Sequence, residues 1–325
     1  MSEGSPSVDQ MLSDMAIESG QLDKTPEDQS MEELWLAVEK HAQAQRATDT
    51  DETNLIENWG ELPVGLMHLA DWHIGSRWVD YAALRQFSTE LRGWRDRHPG
   101  ALKVAFLGDG TDGYMPGMGR VSSGMFEETE TSLDRQDALF VHMANQAGGL
   151  DYLTLGCHWA WSLNAGHNPL KHIAPLVGAR DMGFGYYIEA TVGKQVYHLI
   201  GRHRSSGISR LNTTNPHRTL YQLYEMPGSE RADVIALAHL HINNLHRQKY
   251  AGKDVIWLSA GGAKGADCYA RQIGVRHTLD GSDFGAPLVI LYPDTKRMIG
   301  FYGTDYRSGL QFLAYERARY VAMVK

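Results

Sequence analysis

Five short segments of the chain carry Asp or His side chains, and each segment follows an apolar run. The segments are Asp71-Trp72-His73, Gly108-Asp109, Gly156-Cys157-His158, His203 and His239-Leu240-His241. The apolar runs before them cover 64–70, 102–107, 152–155, 196–200 and 234–238, and their length and composition predict strands. Because neighbouring strands end at a common rim, these side chains are expected to meet at one edge of a sheet.

The spacing within the segments is suited to metal binding. Side chains two residues apart on an extended segment point the same way, so Asp71 and His73 can reach one ion, as can His239 and His241. Carboxylate and imidazole ligands without paired thiolates favour Mn, Fe or Zn. A carboxylate between two such groups, here Asp109, can bridge two ions about 3.5–4 Å apart, a clamp for displacement at phosphorus.

The order of these motifs resembles that of the calcineurin-like metallophosphoesterases, D-x-H, G-D, G-N-H, H and G-H-x-H, over roughly residues 62–245. The resemblance implies an α/β fold of two facing mixed β-sheets flanked by helices, and a centre of two divalent ions (Mn, Zn or Fe). It assigns Asp71, His73, Asp109 and His241 to one ion, and Asp109, His203 and His239 to the other. It assigns His158 to the substrate phosphate and leaving group, so that Asp109 and His158 carry the chemistry.

The chain departs from the family pattern at Cys157, where the family has Asn, and at Ala238, where it has Gly. That Asn ligates the second ion in the family, so three readings of Cys157 stay open. Its thiolate replaces the Asn and favours a softer metal, the second ion has one ligand fewer, or the thiol is an inert packing group.

The substrate prediction rests on two further features. The segment 71–75 resembles the opening D-x-H-x-G motif of the repair-exonuclease branch of the family, which has compact members in phage genomes. Basic residues around His203, namely Arg202, Arg204 and Arg210, are predicted to grip phosphate oxygens. We therefore predict a phosphodiesterase or nuclease that acts on nucleic acid. The alternatives are a phosphomonoesterase or nucleotide phosphatase, and a non-catalytic binding protein that retains the fold.

Charge divides the chain into two predicted parts. Residues 1–58 carry 14 acidic and three basic side chains, a net charge of −11, whereas residues 59–325 have a net charge of +3. The first part is predicted to be an acidic extension, disordered over 1–29, with one helix over 31–46 and a role in docking a protein partner. The second part is predicted to be the metallophosphoesterase domain.

The lack of long apolar segments and the low cysteine content predict a cytoplasmic protein that is not inserted in a membrane. The chain has no apolar run of about 18 residues and no signal-peptide pattern near residue 1. Its two cysteines do not form a disulfide framework of the kind found in secreted domains.

Overall fold

The computed structural model describes residues 35–36, 39–40, 53–113, 129, 132–163, 168–206, 212–223, 231–250, 252–266 and 284–324. The chain divides into two compact units, Met1–Thr50 and Asp51–Lys325. In the first unit, the described residues 35–36 and 39–40 are helical and lie within the helix predicted over 31–46.

The second unit contains two mixed sheets, each with six strands among the described residues. The first sheet has the order β12-β11-β2-β3-β4-β5, and its strands are β2 (Val64–Leu69), β3 (Leu102–Phe106), β4 (Tyr152–Leu153), β5 (Arg180–Asp181), β11 (Leu288–Leu291) and β12 (Met298–Phe301). The strands from β2 to β5 are parallel, and β11 is antiparallel to both of its neighbours.

The second sheet has the order β1-β6-β7-β8-β10-β9. Its strands are β1 (Thr53–Asn58), β6 (Gly185–Val192), β7 (Gln195–Arg202), β8 (Val234–Leu237), β9 (Asn244–Tyr250) and β10 (Lys253–Ser259). The sequence pattern predicts a hairpin over 186–200 with its turn near Gly193-Lys194, and the β6–β7 hairpin turns there. Strands β7, β8 and β10 are parallel, so their carboxyl ends reach one edge.

The two sheets face each other across an apolar core. The side chains of β2 point to both faces of the first sheet. Val64 and Leu66 point to the core shared with the second sheet, and Met67 and Leu69 point to the helices. Both faces of β2 are thus buried, which explains why its sequence is apolar except for His68. The predicted class, α/β with two facing mixed sheets flanked by helices, is confirmed.

Helices cover the outer faces of both sheets. The described helices of this unit are α1 (Tyr81–Arg97), α2 (Leu133–Gln146), α3 (Cys157–Leu163), α4 (Pro169–Val177), α5 (Asn215–Leu223) and α6 (Tyr306–Val324). Local signals fix their ends: the Asp80 side chain accepts from the Ala83 amide at the start of α1, and Gly178 ends α4 in a left-handed conformation. The sequence pattern predicts helices over 80–97, 133–147, 168–177 and 310–324, which correspond to α1, α2, α4 and α6, and it predicts no helix at α3 or α5.

The second unit begins before residue 59. Strand β1 pairs in parallel with β6, from Thr53 opposite Tyr186 to Asn58 opposite Thr191, so it belongs to the second sheet. The polar stretch 48–54, which we interpreted as a linker, therefore overlaps a strand. With Asp51, Glu52 and Glu57 included, residues 51–325 have a formal net charge of zero instead of +3.

Within the described part of the chain, no helix has the length and apolar character needed to cross a membrane.

Candidate metal centre

The predicted site residues meet where β2, β3, β7 and β8 end. Backbone hydrogen bonds continue from the strands into the loops: the Asp71 amide donates to Gly108 O (3.1 Å), and the His73 amide donates to Asp109 O (3.1 Å). In the second sheet the Ala238 amide donates to His203 O at 3.1 Å. The segments at the strand ends are thus bonded to one another, which holds their side chains in register.

The backbone of these loops has an uncommon conformation. Among the described residues, the non-glycine positions with positive φ are Asp71, His73, Asp109, His239 and His241, with φ between 48° and 73°. All five are predicted metal ligands. A non-glycine residue in this left-handed region stores strain, which persists only where the surroundings impose it and which concentrates at functional sites.

Two glycines allow the Gly-Asp and Gly-Cys-His turns to touch. A Cβ on Gly108 would lie 2.5 Å from Gly156 Cα, and one on Gly156 would lie 2.0 Å from Asp109 Oδ1. Larger residues would separate the turns. The glycines of these motifs are therefore required by close backbone approach, and they bring Asp109 beside Cys157 and His158.

One group of ligand atoms, which we call the oxygen–nitrogen set, consists of Asp71, His73 and His241. The His73 Nε2 and His241 Nε2 atoms are 3.2 Å apart, and they lie 3.8 Å and 3.7 Å from Asp71 Oδ1. Asp71 Oδ1 is buried and has no hydrogen-bond partner. A buried carboxylate oxygen without a donor is costly unless a cation satisfies it.

A second group, which we call the sulfur set, consists of Asp109, Cys157, His203 and His239. Asp109 Oδ2 lies 2.9 Å from His203 Nε2 and 3.0 Å from Cys157 Sγ. His239 Nδ1 lies 3.2 Å from His203 Nε2 and 3.4 Å from Cys157 Sγ. Ligands about 2.0–2.3 Å from a tetrahedral ion are themselves about 3.3–3.8 Å apart. Three of the four contacts in this set are shorter, so its side chains would move apart slightly to hold an ion.

Hydrogen bonds behind the imidazoles assign their tautomers. The Nδ1–H of His73 donates to Asp112 Oδ1 (2.7 Å), and that of His203 donates to Leu107 O (2.8 Å). When neutral, each ring therefore directs its Nε2 lone pair into its set, as in histidines that bind metals. The facing ring nitrogens of His73 and His241 then present two lone pairs to each other, an arrangement that a cation between them stabilises.

Electrostatics favours neutral imidazoles at His73 and His239 and a protonated imidazole at His203. Burial lowers the pKa of His73 to about 4, and burial with the nearby His203 lowers the pKa of His239 to about 4. For His203 burial acts in the same direction, but the adjacent Asp109 carboxylate raises its pKa well above the usual value. Burial raises the pKa of the Cys157 thiol to about 11. The negative charge of Asp109 is thus balanced by His203 in the protein alone.

His158 lies beside both sets, and its side chain is partly exposed. Its Nδ1 is 2.5 Å from Asp112 O, its amide donates to Asp109 Oδ1 at 2.8 Å, and its side chain is 20% exposed. The ring packs on Trp161, with centroids 4.3 Å apart. With Nδ1 held by a carbonyl, Nε2 is the atom available to a substrate. Ligand atoms of His73, Asp109 and His158 also lie within 4.8 Å of one another.

Asp112 and Lys264 belong to the centre, although the sequence analysis assigned them no role. Asp112 Oδ1 accepts from His73 Nδ1 and, at 2.8 Å, from Lys264 Nζ. The segment before Lys264 is glycine-rich but lacks the G-x-x-x-x-G-K-[ST] pattern of a phosphate loop. The position of Asp112, three residues after Asp109, is a sequence feature that could have indicated a place in the site. No such feature marks Lys264.

The three predicted phosphate-binding arginines have different positions. Arg204 is exposed, and its charge contributes to lowering the pKa of His239, so it lies on the rim near the sulfur set. Arg202 is the last residue of β7, and a Cβ on Gly185 of the paired strand would meet its Cγ at 2.8 Å. Arg210 lies outside the described residues.

No family model and no curated protein matches the chain. Among solved structures, the chain is similar to the sulfate thiohydrolase SoxB of Thermus thermophilus, with a TM-score of 0.40, 12% identity, and coverage of 74% of this chain and 56% of that one. It is similar to the calcineurin-like phosphoesterase YfkN of Bacillus subtilis (TM-score 0.39, 11% identity, 79% of this chain, 99% of that one). It is also similar to Vps29 of Entamoeba histolytica in complex with zinc (TM-score 0.33, 12% identity, coverage of 74% of this chain and 98% of that one). This chain thus spans about half of the SoxB chain.

Proposed function

We propose that this protein is a phosphoester hydrolase that uses two divalent ions and cleaves phosphodiester bonds of nucleic acid. The observation that carries the proposal is the meeting of two adjacent ligand sets where strands of the two facing sheets end. In one, Asp71 Oδ1 is buried without a donor; in the other, Asp109 Oδ2 contacts Cys157 and His203. Two adjacent ions are the arrangement used for displacement at phosphorus.

The residues fit two ions, with Asp109 between the sets. Asp71, His73 and His241 would hold one, and Cys157, His203 and His239 the other. When bound, the ions would polarise the phosphoryl oxygens and lower the pKa of a water molecule. The chain itself holds the ligands, fixes their tautomers through Asp112 and Leu107 O, and excludes solvent from Asp71 and Asp109, which are 0% and 1% exposed.

The proposed role of His158 is proton donation. Hydrolysis forms a bond between phosphorus and a water oxygen and breaks the bond to the ester oxygen. A protonated His158 would give its Nε2 proton to the leaving oxygen, while the proton lost by the attacking water passes to solvent. The Asp112 carbonyl keeps the ring aimed, since it accepts from Nδ1.

Nucleic acid is proposed as the substrate because the rim combines a cation and an aromatic ring. Exposed Arg204 suits a phosphate of the backbone, and Trp161 beside His158 offers a surface for a base. With a net charge of zero, the second unit attracts a polyanion through local charge at this rim and not through its overall field.

The test is hydrolysis by the full chain after removal of metals and reloading with Mn²⁺, Zn²⁺ or Fe²⁺. We expect turnover of bis-p-nitrophenyl phosphate and of single- and double-stranded DNA, and much slower turnover of p-nitrophenyl phosphate. A reversed preference would identify a phosphomonoesterase. Two bound ions without turnover of any ester would identify a non-catalytic binding protein.

A further inference from the structure

The two ligand sets differ in one chemical respect. The oxygen–nitrogen set offers a carboxylate and two imidazoles, whereas the sulfur set offers those groups and a thiol. Cys157 is the first residue of α3, and this position directs its Sγ toward Asp109 Oδ2 (3.0 Å) and His239 Nδ1 (3.4 Å).

A purely structural thiol accounts for only part of this geometry. The Cys157 S–H can donate to Asp109 Oδ2, but then His239 Nδ1 and His203 Nε2 still face each other at 3.2 Å. Ligand atoms of all four residues lie within 4.8 Å of one another. A cation among all four atoms would satisfy these groups together, and it would replace the S–H proton with a metal–sulfur bond.

We propose that the sulfur set is a thiolate site that selects a soft divalent ion, Zn²⁺ or Fe²⁺, while the oxygen–nitrogen set accepts a harder ion such as Mn²⁺. Binding breaks the S–H bond of Cys157, forms a metal–sulfur bond and releases one proton to solvent. Thiolates favour softer ions, so the centre would hold two different metals. This inference depends on the two-ion site of the proposed function, and it specifies the metal at each position.

The experiment uses the full chain with Cys268→Ser, which leaves Cys157 as the one thiol among the two cysteines of the sequence. The metal-free protein is titrated with Co²⁺, and the near-ultraviolet sulfur-to-cobalt charge-transfer band is recorded together with the number of bound ions. We expect two bound ions, and a band that saturates after one equivalent. The matched variants Cys157→Ser and Cys157→Asn, made in the same background, should lose the band.

Metal selection is measured in the same proteins. With Zn²⁺ and Mn²⁺ in competition, the parent should hold both ions, and Cys157→Asn should lose at least about tenfold in Zn²⁺ affinity. Loss of an outer-shell partner alone already costs 10–100-fold in affinity. The Mn²⁺ affinity of the oxygen–nitrogen set should change little.

A thiol reagent provides a test that needs no substitution at Cys157. In the Cys268→Ser protein, we expect modification to be measurably faster without metal than with one equivalent of Zn²⁺, although burial of the neutral thiol slows both reactions. Equal rates would overturn the inference, as would two bound Co²⁺ ions without a charge-transfer band. In both of those results the two-ion hydrolase would stand. Failure to bind any ion would instead overturn the proposed function and this inference together.

Discussion

Asp109 is the residue on which both ligand sets depend. Its Oδ2 contacts His203 and Cys157, its Oδ1 accepts from the His158 amide, and its backbone has a φ of 54°. We expect Asp109→Ala to lose both ions, because the bridging carboxylate is removed, and His241→Ala to weaken mainly the ion of the oxygen–nitrogen set. Elemental analysis after gel filtration measures both effects.

A matched control for this substitution is Asp254→Ala, which removes a carboxylate on β10 that pairs with Arg247 at 3.2 Å. That variant should retain both ions. Equal metal contents of the wild type and Asp109→Ala would show that Asp109 is not a ligand.

His158 should affect turnover without affecting metal content. His158→Asn removes the Nε2 proton donor, and we expect turnover of a phosphodiester to fall by about 10²–10⁴-fold while both ions stay bound. His142→Asn, an exposed position on α2, is the control and should leave turnover unchanged. Loss of an ion in His158→Asn would make His158 a ligand, consistent with its place near His73 and Asp109.

At the scale of elements, the loops that follow β3 and β4 touch each other at Gly156, where a larger residue would not fit. A Cβ there would lie 2.2 Å from the Asp109 amide nitrogen, in a region of backbone that cannot easily move. We expect Gly156→Ala to destabilise the metal-free protein by about 1–3 kcal/mol and to weaken metal binding. Urea unfolding and metal analysis measure the two effects.

Gly93→Ala supplies the comparison for that variant. In helix α1 the added Cβ meets nothing closer than Arg97 Nη1 at 3.5 Å. This substitution should stabilise the protein by roughly 0.5–1 kcal/mol, because alanine loses less conformational freedom in a helix. Similar stabilities for both variants would argue against the close packing of the two turns.

Helices α1 and α6 are joined by one charged contact. Glu90 accepts two hydrogen bonds from Arg307 (2.6 and 3.0 Å) and one from Tyr306 (2.8 Å). The Arg307 guanidinium lowers the pKa of Glu90 from 4.5 to about 2. A depressed pKa stabilises the folded state above pH 4.5, and this stabilisation is lost as the pH falls toward about 2.

We therefore expect Glu90→Gln to lower the free energy of unfolding by about 1 kcal/mol at neutral pH, and by progressively less between pH 4.5 and 2. Both side chains are partly exposed, at 34% and 55%, so solvent screening limits the effect. Urea unfolding across that pH range measures the difference. Asp96→Asn, in an exposed pair within α1, should shift stability by less than about 0.5 kcal/mol. A constant difference at every pH would exclude the contribution of the Glu90 charge.

At the scale of the whole molecule, charge is concentrated in the first unit. Residues 1–50 have a net charge of −8, and residues 51–325 have a net charge of zero. Deleting residues 1–50 should tighten binding to a single-stranded oligonucleotide at low salt and have little effect at high salt, because repulsion of the polyanion is screened. Fluorescence anisotropy provides the measurement.

A shuffled variant and the salt dependence of binding show whether net charge causes the effect of this deletion. A version in which residues 1–50 are shuffled should bind the oligonucleotide as the full chain does, since net charge sets the effect. Tighter binding by the deleted protein at all salt concentrations would point to a sequence-specific role of the segment instead. The deletion ends at residue 50 because β1 is a strand of the second sheet.

The sequence by itself determined the order of the ligands and the strands that carry them. Buried parallel strands are mostly apolar runs, and the polar residue that ends each run is visible beside it, as with Asp71 after β2 and Asp109 after β3. These are local properties, which explains why the strands and the candidate ligands could be predicted. The arrangement of two facing sheets was instead implied by the resemblance of the motif order to a known family.

Only the tertiary structure decided which side chains support the ligands. Lys264 meets Asp112 across 152 positions, and β1 joins the second sheet through β6, contacts that no local pattern reports. At the start of helix α3, the His158 amide donates to Asp109, and the sulfur of Cys157 lies near His239. Such contacts depend on how segments far apart in the sequence pack together. The residue types around a single position do not reveal that packing.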